Sequence, residues 1–158
     1  MKVKLLSIGK TEEKYLKEGI DIYCKKLKHY FPFEYEELPP LKQTRNLSLD
    51  EQKKREGEVI LKKISLSDTV VLLDETGLQY SSIDFSAFIQ HQMMQGSKQL
   101  LFIIGGTYGF SQELYQRKDY LISLSSMTFS YQMVRLIFLE QLYRAATLLK
   151  NEPYHHGL

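Results

Sequence analysis

Apolar residues along this chain follow two rhythms: short unbroken runs alternate with segments where they recur every three or four positions. Val3 to Ile8 reads as a strand, ended by Gly9. Leu16, Ile20, Tyr23 and Leu27 then recur at helical spacing, with Thr11 placed to cap that helix and Glu12 and Glu13 at the positive end of its dipole. Phe31 to Leu38 reads as a second strand stopped by Pro39 and Pro40. Ser48 and Glu51 spell a capping box for a helix with a charged first half, followed by Val59, Ile60 and Ile64. The run TVVLL, between Asp68 and Asp74, lacks alternation, as expected of a strand covered on both faces. Ser81 and Asp84 offer a second capping arrangement before Phe85, Phe88, Ile89 and Gln92. A strand from Gln99 to Ile104, a short helix from Ser111, the strand YLISLS and a long helix from Tyr131 to Lys150 complete the series. On that last helix Val134, Ile137, Phe138, Gln141, Ala145, Leu148 and Leu149 form one stripe, with Arg135 and Arg144 on its opposite edges.

Strands alternating with helices predict an α/β fold, a three-layer sandwich around a mainly parallel sheet of about five strands. The 158 residues fit one domain, 1–158. The longest irregular segment is PPLKQTRN, residues 39–46, which reads equally as a lid or a plain connection. Hydrophobic residues make up 43% and charged residues 25%, which excludes a disordered or fibrous chain. With 21 Lys and Arg against 19 acids the net charge is +2, so any polyanion site has to be a local patch. Lys10, Lys14, Lys17, Lys25, Lys26 and Lys28 are interleaved with Glu12, Glu13, Glu18 and Asp21 and read as a solvated helix face. Cys24 stands alone and excludes an internal disulfide. No Cys/His spacing suits zinc, and the adjacent His155 and His156 lack a third ligand, so no metal is expected. No apolar stretch approaches the roughly 18 residues of a membrane span, and the apolar run at the N-terminus is short for a signal peptide. The expected setting is a reducing cytoplasm, away from membrane.

Three stretches carry candidate chemistry. LLFIIGGTYGF, residues 100–110, runs a strand into a glycine turn at the sheet edge where open α/β folds bind ligands. It spells neither G-x-G-x-x-G nor a phosphate loop, and the turn alone reads simply as tight backbone. SLSSMTFSYQMVR, residues 123–135, mixes hydroxyl residues with Met127 and Phe129. That mixture suits an uncharged heterocycle such as adenine, although the same residues would also serve as a loop covering the core. The tail NEPYHHGL breaks the helix at Pro153 and presents Tyr154 and His155, which can stack on a base or donate to phosphate, or else fray.

Together VVLLDETG, FIIGGTYG, SLSSMTF, VRLIFLEQLYRA and PYH, in this order, closely resemble a small SPOUT-class RNA methyltransferase family, the ribosomal RNA large subunit methyltransferase H family. Its members methylate N3 of a pseudouridine in 23S ribosomal RNA of the assembled ribosome. The resemblance spans essentially the whole chain. It implies a C-terminal trefoil knot, a homodimer, and S-adenosyl-L-methionine as cofactor. The knot is an expectation of the family alone, since physical rules run against knots. By resemblance the cofactor contacts fall on Leu73, Gly105, Leu124, Ser125, Ser126, Met127, Thr128 and Phe129. Arg135, Tyr154 and His155 become the candidates for binding and positioning the RNA, with the tail reaching the partner's site.

Two departures stand out. Family members commonly have Pro-His where this chain has Ser130 and Tyr131, and a basic residue soon after PYH where it has His156, Gly157 and Leu158. The first departure leaves a non-catalytic ribosome- or RNA-binding factor on the same fold as the alternative. A flavodoxin-like binder would need a phosphate loop after the first strand, and SIGKT is a poor one.

Overall fold

The computed structural model describes residues 1–155. Its elements follow in the order β1 (Lys2–Ile8), α1 (Lys14–Leu27), β2 (Phe33–Leu38), α2 (Leu49–Leu61), β3 (Asp68–Gln79), α3 (Ser82–Met94), β4 (Gln99–Ile104), α4 (Gln112–Arg117), β5 (Tyr120–Ser123) and α5 (Met133–Leu149). The strands form one sheet in the order β2-β1-β4-β3-β5, and every pairing is parallel.

Alternate residues of each central strand enter different cores. Val71, Leu73, Leu100 and Phe102 pack with residues of α1, α3 and α5, whereas Val70, Leu72, Leu101 and Ile103 pack with Ile60 of α2 and Leu114 of α4. Both faces are therefore apolar, which is why TVVLL shows no alternation. The result is the expected three-layer α/β sandwich.

Local chemistry sets most helix starts. Ser48, Ser81 and Ser111 each accept a backbone N–H three residues on, and Ser48 with Glu51 completes its capping box. The first helix departs from expectation. Its N-cap position is Glu13, without a side-chain cap, and Thr11 instead lies buried with its amide and hydroxyl both donating to Glu37 at the end of β2. A tertiary carboxylate has taken the residue that local pattern assigned to the helix.

β3 also runs further than its apolar core. Leu73 and Leu78 both lie opposite Ile122, so residues 74–77 bulge out of the ladder. Gly77 makes this possible: a Cβ there would sit 2.6 Å from the backbone N and C of Ile122.

On α5 the buried positions are Arg135, Phe138, Leu139, Leu142, Ala145, Ala146 and Thr147. This corrects the sequence-derived stripe: Phe138 and Ala145 belong to it, but Val134, Ile137, Gln141, Leu148 and Leu149 are only partly buried. The helix packs against both α1 and α3, which turns the Arg135 side inward.

Candidate active site

The loops leaving β3, β4 and β5 converge at the carboxyl edge of the sheet around a cavity of about 650 Å³. Residues 73–76, 104–110, 123–125 and 127–131 form its walls, with Tyr115 and Val134. Leu73, Gly105, Leu124, Ser125, Met127, Thr128 and Phe129 are thus brought together, while Ser126 lies exposed in the same loop outside the wall. Met127 is 77% exposed and Phe129 37%, so neither serves as core filling.

Glycines and hydroxyls shape these walls. Gly106 and Gly109 pair across the turn, Gly109 with a φ of +86°, a conformation few other residues adopt. The Phe110 ring presses on Gly105, where a Cβ would lie 3.1 Å from it. In the loop after β5, Ser123 Oγ donates to the Ser125 carbonyl at 2.8 Å and the Met127 amide donates to Ser125 Oγ at 3.0 Å. Behind the glycine turn lies the buried carboxylate of Glu56, whose Oε2 would be 2.6 Å from a Cβ on Gly106. Burial pushes the Glu56 carboxyl above its ordinary range, only partly offset by a hydrogen bond from Gln52.

The charged groups of the wall are acidic: Asp74 and Glu75 line it, and among the described residues no Lys, Arg or His does. Burial alone would raise the Asp74 carboxyl, but hydrogen bonds from Thr76 and Tyr115 outweigh it and hold the group below the usual carboxylate range. The Tyr115 hydroxyl is pushed up to about 12 by burial and then by Asp74, so it remains a donor at neutral pH.

Arg135 does not face the cavity. It is fully buried, and each guanidinium nitrogen is engaged by Tyr131, Gly9, Thr11, Glu37 or Ile8. The sequence placed it on a helix edge as an RNA contact; the structure places it inside, against carbonyls that its planar fork can satisfy.

Tyr154 and His155 join two residues of α5 instead. The Tyr154 hydroxyl donates to Glu140 Oε1 at 3.0 Å, Arg144 Nη2 holds the same oxygen at 2.6 Å, and Arg144 Nη1 lies 3.4 Å from His155 Nδ1. The Arg144 guanidinium sits 4.9 Å from the Tyr154 ring centroid, and Tyr143 meets that ring edge-on at 4.8 Å. Sequence reading missed Glu140. The signal was its i,i+4 spacing to Arg144, a pairing that stabilises a helix face. Residue 156 lies outside the described residues. Along α5, Glu140 is roughly 9 Å and Arg144 roughly 15 Å beyond Val134 of the cavity wall, at 1.5 Å per residue.

Comparison with known proteins decides the family. A family model described as "Predicted SPOUT methyltransferase" matches residues 1–155. The chain belongs to the SPOUT methyltransferase family. Among similar proteins are those named "Ribosomal RNA large subunit methyltransferase H" from Christiangramia forsetii, 59% identical, from Flavobacterium johnsoniae, 52%, and from Parabacteroides distasonis, 51%; each alignment covers 99% of both chains.

The cavity of this SPOUT methyltransferase has the chemistry that S-adenosyl-L-methionine requires. That molecule carries positive charge and no phosphate, and the wall offers Asp74 and Glu75 with peptide groups and hydroxyls. The volume also falls within the range of small-molecule sites. Among the described residues no three His, Cys, Asp or Glu side chains gather as a metal site, and no helix is long and apolar enough to cross a membrane.

Proposed function

We propose that this chain methylates N3 of a pseudouridine in 23S ribosomal RNA of the assembled ribosome, using S-adenosyl-L-methionine, in the cytoplasm. The observation that carries this reading is the cavity at the carboxyl edge of the sheet, walled by Asp74, Glu75, peptide groups and hydroxyls, in a chain of the SPOUT family. Its relatives of 51–59% identity bear a ribosomal RNA methyltransferase name, and their alignments extend over 99% of this chain.

Leu73, Gly105, Leu124, Ser125, Met127, Thr128 and Phe129 hold the cofactor in this reading, with Ser126 continuing the loop outside the wall. When bound, the cofactor supplies a methyl group already made electrophilic by its sulfonium centre. The protein then has to align the nucleophile and exclude water. Phe129 and Met127 offer apolar surface for that exclusion, and Asp74, kept anionic by Thr76 and Tyr115, favours a cationic ligand beside it. Tyr154, His155 and Arg144 present a stacking surface and donors to the RNA.

Within one chain the Tyr154 cluster lies along α5, away from the cavity. A homodimer that sets the tail of one copy at the cavity of the other joins the two halves of the site, and exposed Met127, Phe129, Tyr131 and Tyr108 supply apolar surface around the mouth. The chain also passes from β5, at one edge of the sheet, back to the turn after β1, where Gln132 meets Lys10 and Glu12. Such a crossing beyond the β3 and β4 loops supports a trefoil-knotted path for the C-terminal part.

The test is transfer of labelled methyl from S-adenosyl-L-methionine to ribosomes from cells lacking this protein, followed by nucleoside analysis. N3-methylpseudouridine is the expected product. Absence of incorporation by a chain that binds the cofactor would leave a ribosome-binding factor.

A further inference from the structure

We infer that Arg135 and Glu37 are a positioning pair that fixes the cofactor loop, residues 123–131, against the turn after β1, resting on the methyltransferase reading above for the identity of the ligand. Arg135 is 0% exposed and Glu37 accepts its Nη1 at 2.8 Å. The same nitrogen reaches the Gly9 carbonyl at 2.9 Å and Thr11 Oγ1 at 3.0 Å, and Nη2 reaches the Ile8 carbonyl at 2.8 Å. Nε donates at 3.0 Å to the carbonyl of Tyr131, a residue of the cavity wall, whose ring also lies 5.9 Å from the guanidinium carbon.

Burying a guanidinium is costly, and its carboxylate partner Glu37 keeps 30% of its side chain exposed to water, so the pair is a weak source of stability. What such a pair does supply is one defined geometry for the segments that meet at it. Here those segments are β1, the end of β2 and the end of the cofactor loop. A second stitch runs alongside: Gln132 Oε1 accepts the Glu12 amide at 2.9 Å, and its Nε2 donates to the Lys10 carbonyl at 3.0 Å. At its other end the loop leaves β5, which is paired with β3. Residues 126–128 between these anchors are exposed. The loop is thus held at both ends and open in the middle, with its exit fixed by groups that do not line the cavity, Arg135 and Gln132. Both act through Tyr131 and its neighbours and need not touch the ligand.

The test compares the full-length protein with Arg135→Lys, Glu37→Gln and Gln132→Ala, by amide hydrogen exchange without ligand and by calorimetric titration with S-adenosylhomocysteine. The ammonium of lysine keeps the charge but cannot reproduce the fork. Exchange of the Met127, Met133 and Val134 amides is expected to quicken roughly tenfold in Glu37→Gln and Gln132→Ala, while β4 amides keep their rates. Affinity for S-adenosylhomocysteine is expected to fall about tenfold in Arg135→Lys. Unchanged exchange at these amides in all three variants would overturn the inference. So would faster exchange spread equally over β1 and β4, because that is loss of global stability. Failure of the unsubstituted protein to bind S-adenosylhomocysteine would instead count against the methyltransferase reading, while the exchange rates would still decide the role of the pair.

Discussion

The hydroxyl of Tyr115 on α4 donates to the carboxylate of Asp74 in the β3 bulge, so two walls of the cavity are joined by one hydrogen bond. Thr76 holds the other oxygen of that carboxylate through its amide, 2.9 Å, and its hydroxyl, 2.6 Å. Removing the hydroxyl breaks this link without emptying the core, since the ring stays in place.

Tyr115→Phe is therefore expected to weaken S-adenosylhomocysteine binding about three- to tenfold, the equivalent of losing one hydrogen bond to a charged group in a partly solvated site. Isothermal titration measures it. The pH dependence has a definite sign. Asp74 is lowered in the folded state, so its contribution is present above the unfolded value of about 3.9 and is lost as pH falls through the lower folded value. Tyr115 is raised, so its contribution is present below the unfolded value of about 10 and is lost as pH rises through about 12. The melting-temperature gap between the unsubstituted protein and Tyr115→Phe is expected to be widest between roughly pH 5 and 9 and to close on either side.

Gly77→Ala should break the β3 bulge. The added carbon meets the backbone of Ile122 at 2.6 Å, and backbone cannot step aside as a side-chain end can. A loss of about 3 kcal/mol is expected, seen in a thermal scan as a fall of roughly 6–12 °C. A fall of a degree or two would mean that β5 shifts freely.

Glu56→Gln should stabilise the fold at neutral pH. Burial raises the folded-state value of this carboxyl, which means that ionised Glu56 costs stability at all pH values above it. That cost disappears as pH falls below the unfolded value of about 4.3. Calorimetry at pH 7 is expected to show a melting temperature roughly 2–4 °C higher for the variant, with the difference vanishing near pH 4.

If Tyr154 and the cavity act across a dimer, two inactive variants can complement each other. Arg144→Ala should cut methyl transfer about a hundredfold or more while cofactor affinity stays within about threefold, the signature of losing a group that meets only the RNA. Mixing it with a variant disabled at Gly105 should restore activity as the subunits exchange. Persistent inactivity in exchanged mixtures would show that tail and cavity serve the same copy.

Much of the architecture was legible because it is written locally. The limits of β4 follow from the apolar run between Gln99 and Gly105, and the starts of α2, α3 and α4 follow from serine caps whose partners are three residues away. Of the residues assigned to the cofactor by resemblance, all but Ser126 line the cavity, whereas Thr76 and Tyr115, which also line it, were not singled out. What could not be read depends on partners far along the chain. Glu37 lies 98 residues before Arg135, and nothing near either one signals the other. Thr11 looked like a cap for the same reason, because the carboxylate that claims it is on another strand. The stripe on α5 was misread since periodicity weighs hydrophobicity, and one of the fully enclosed positions of the helix is an arginine.

The bonds from Arg135 to Ile8 and Gly9 join residues 126 and 127 positions apart. During synthesis the first two strands are made long before their partner on α5 exists, so the Ile8 and Gly9 carbonyls lack the Arg135 fork until residue 135 has been added. Chain entropy opposes so distant a closure, and topologies dominated by such contacts fold slowly. A chain truncated before Arg135 therefore lacks the groups that hold the end of the cofactor loop, however well its sheet has formed.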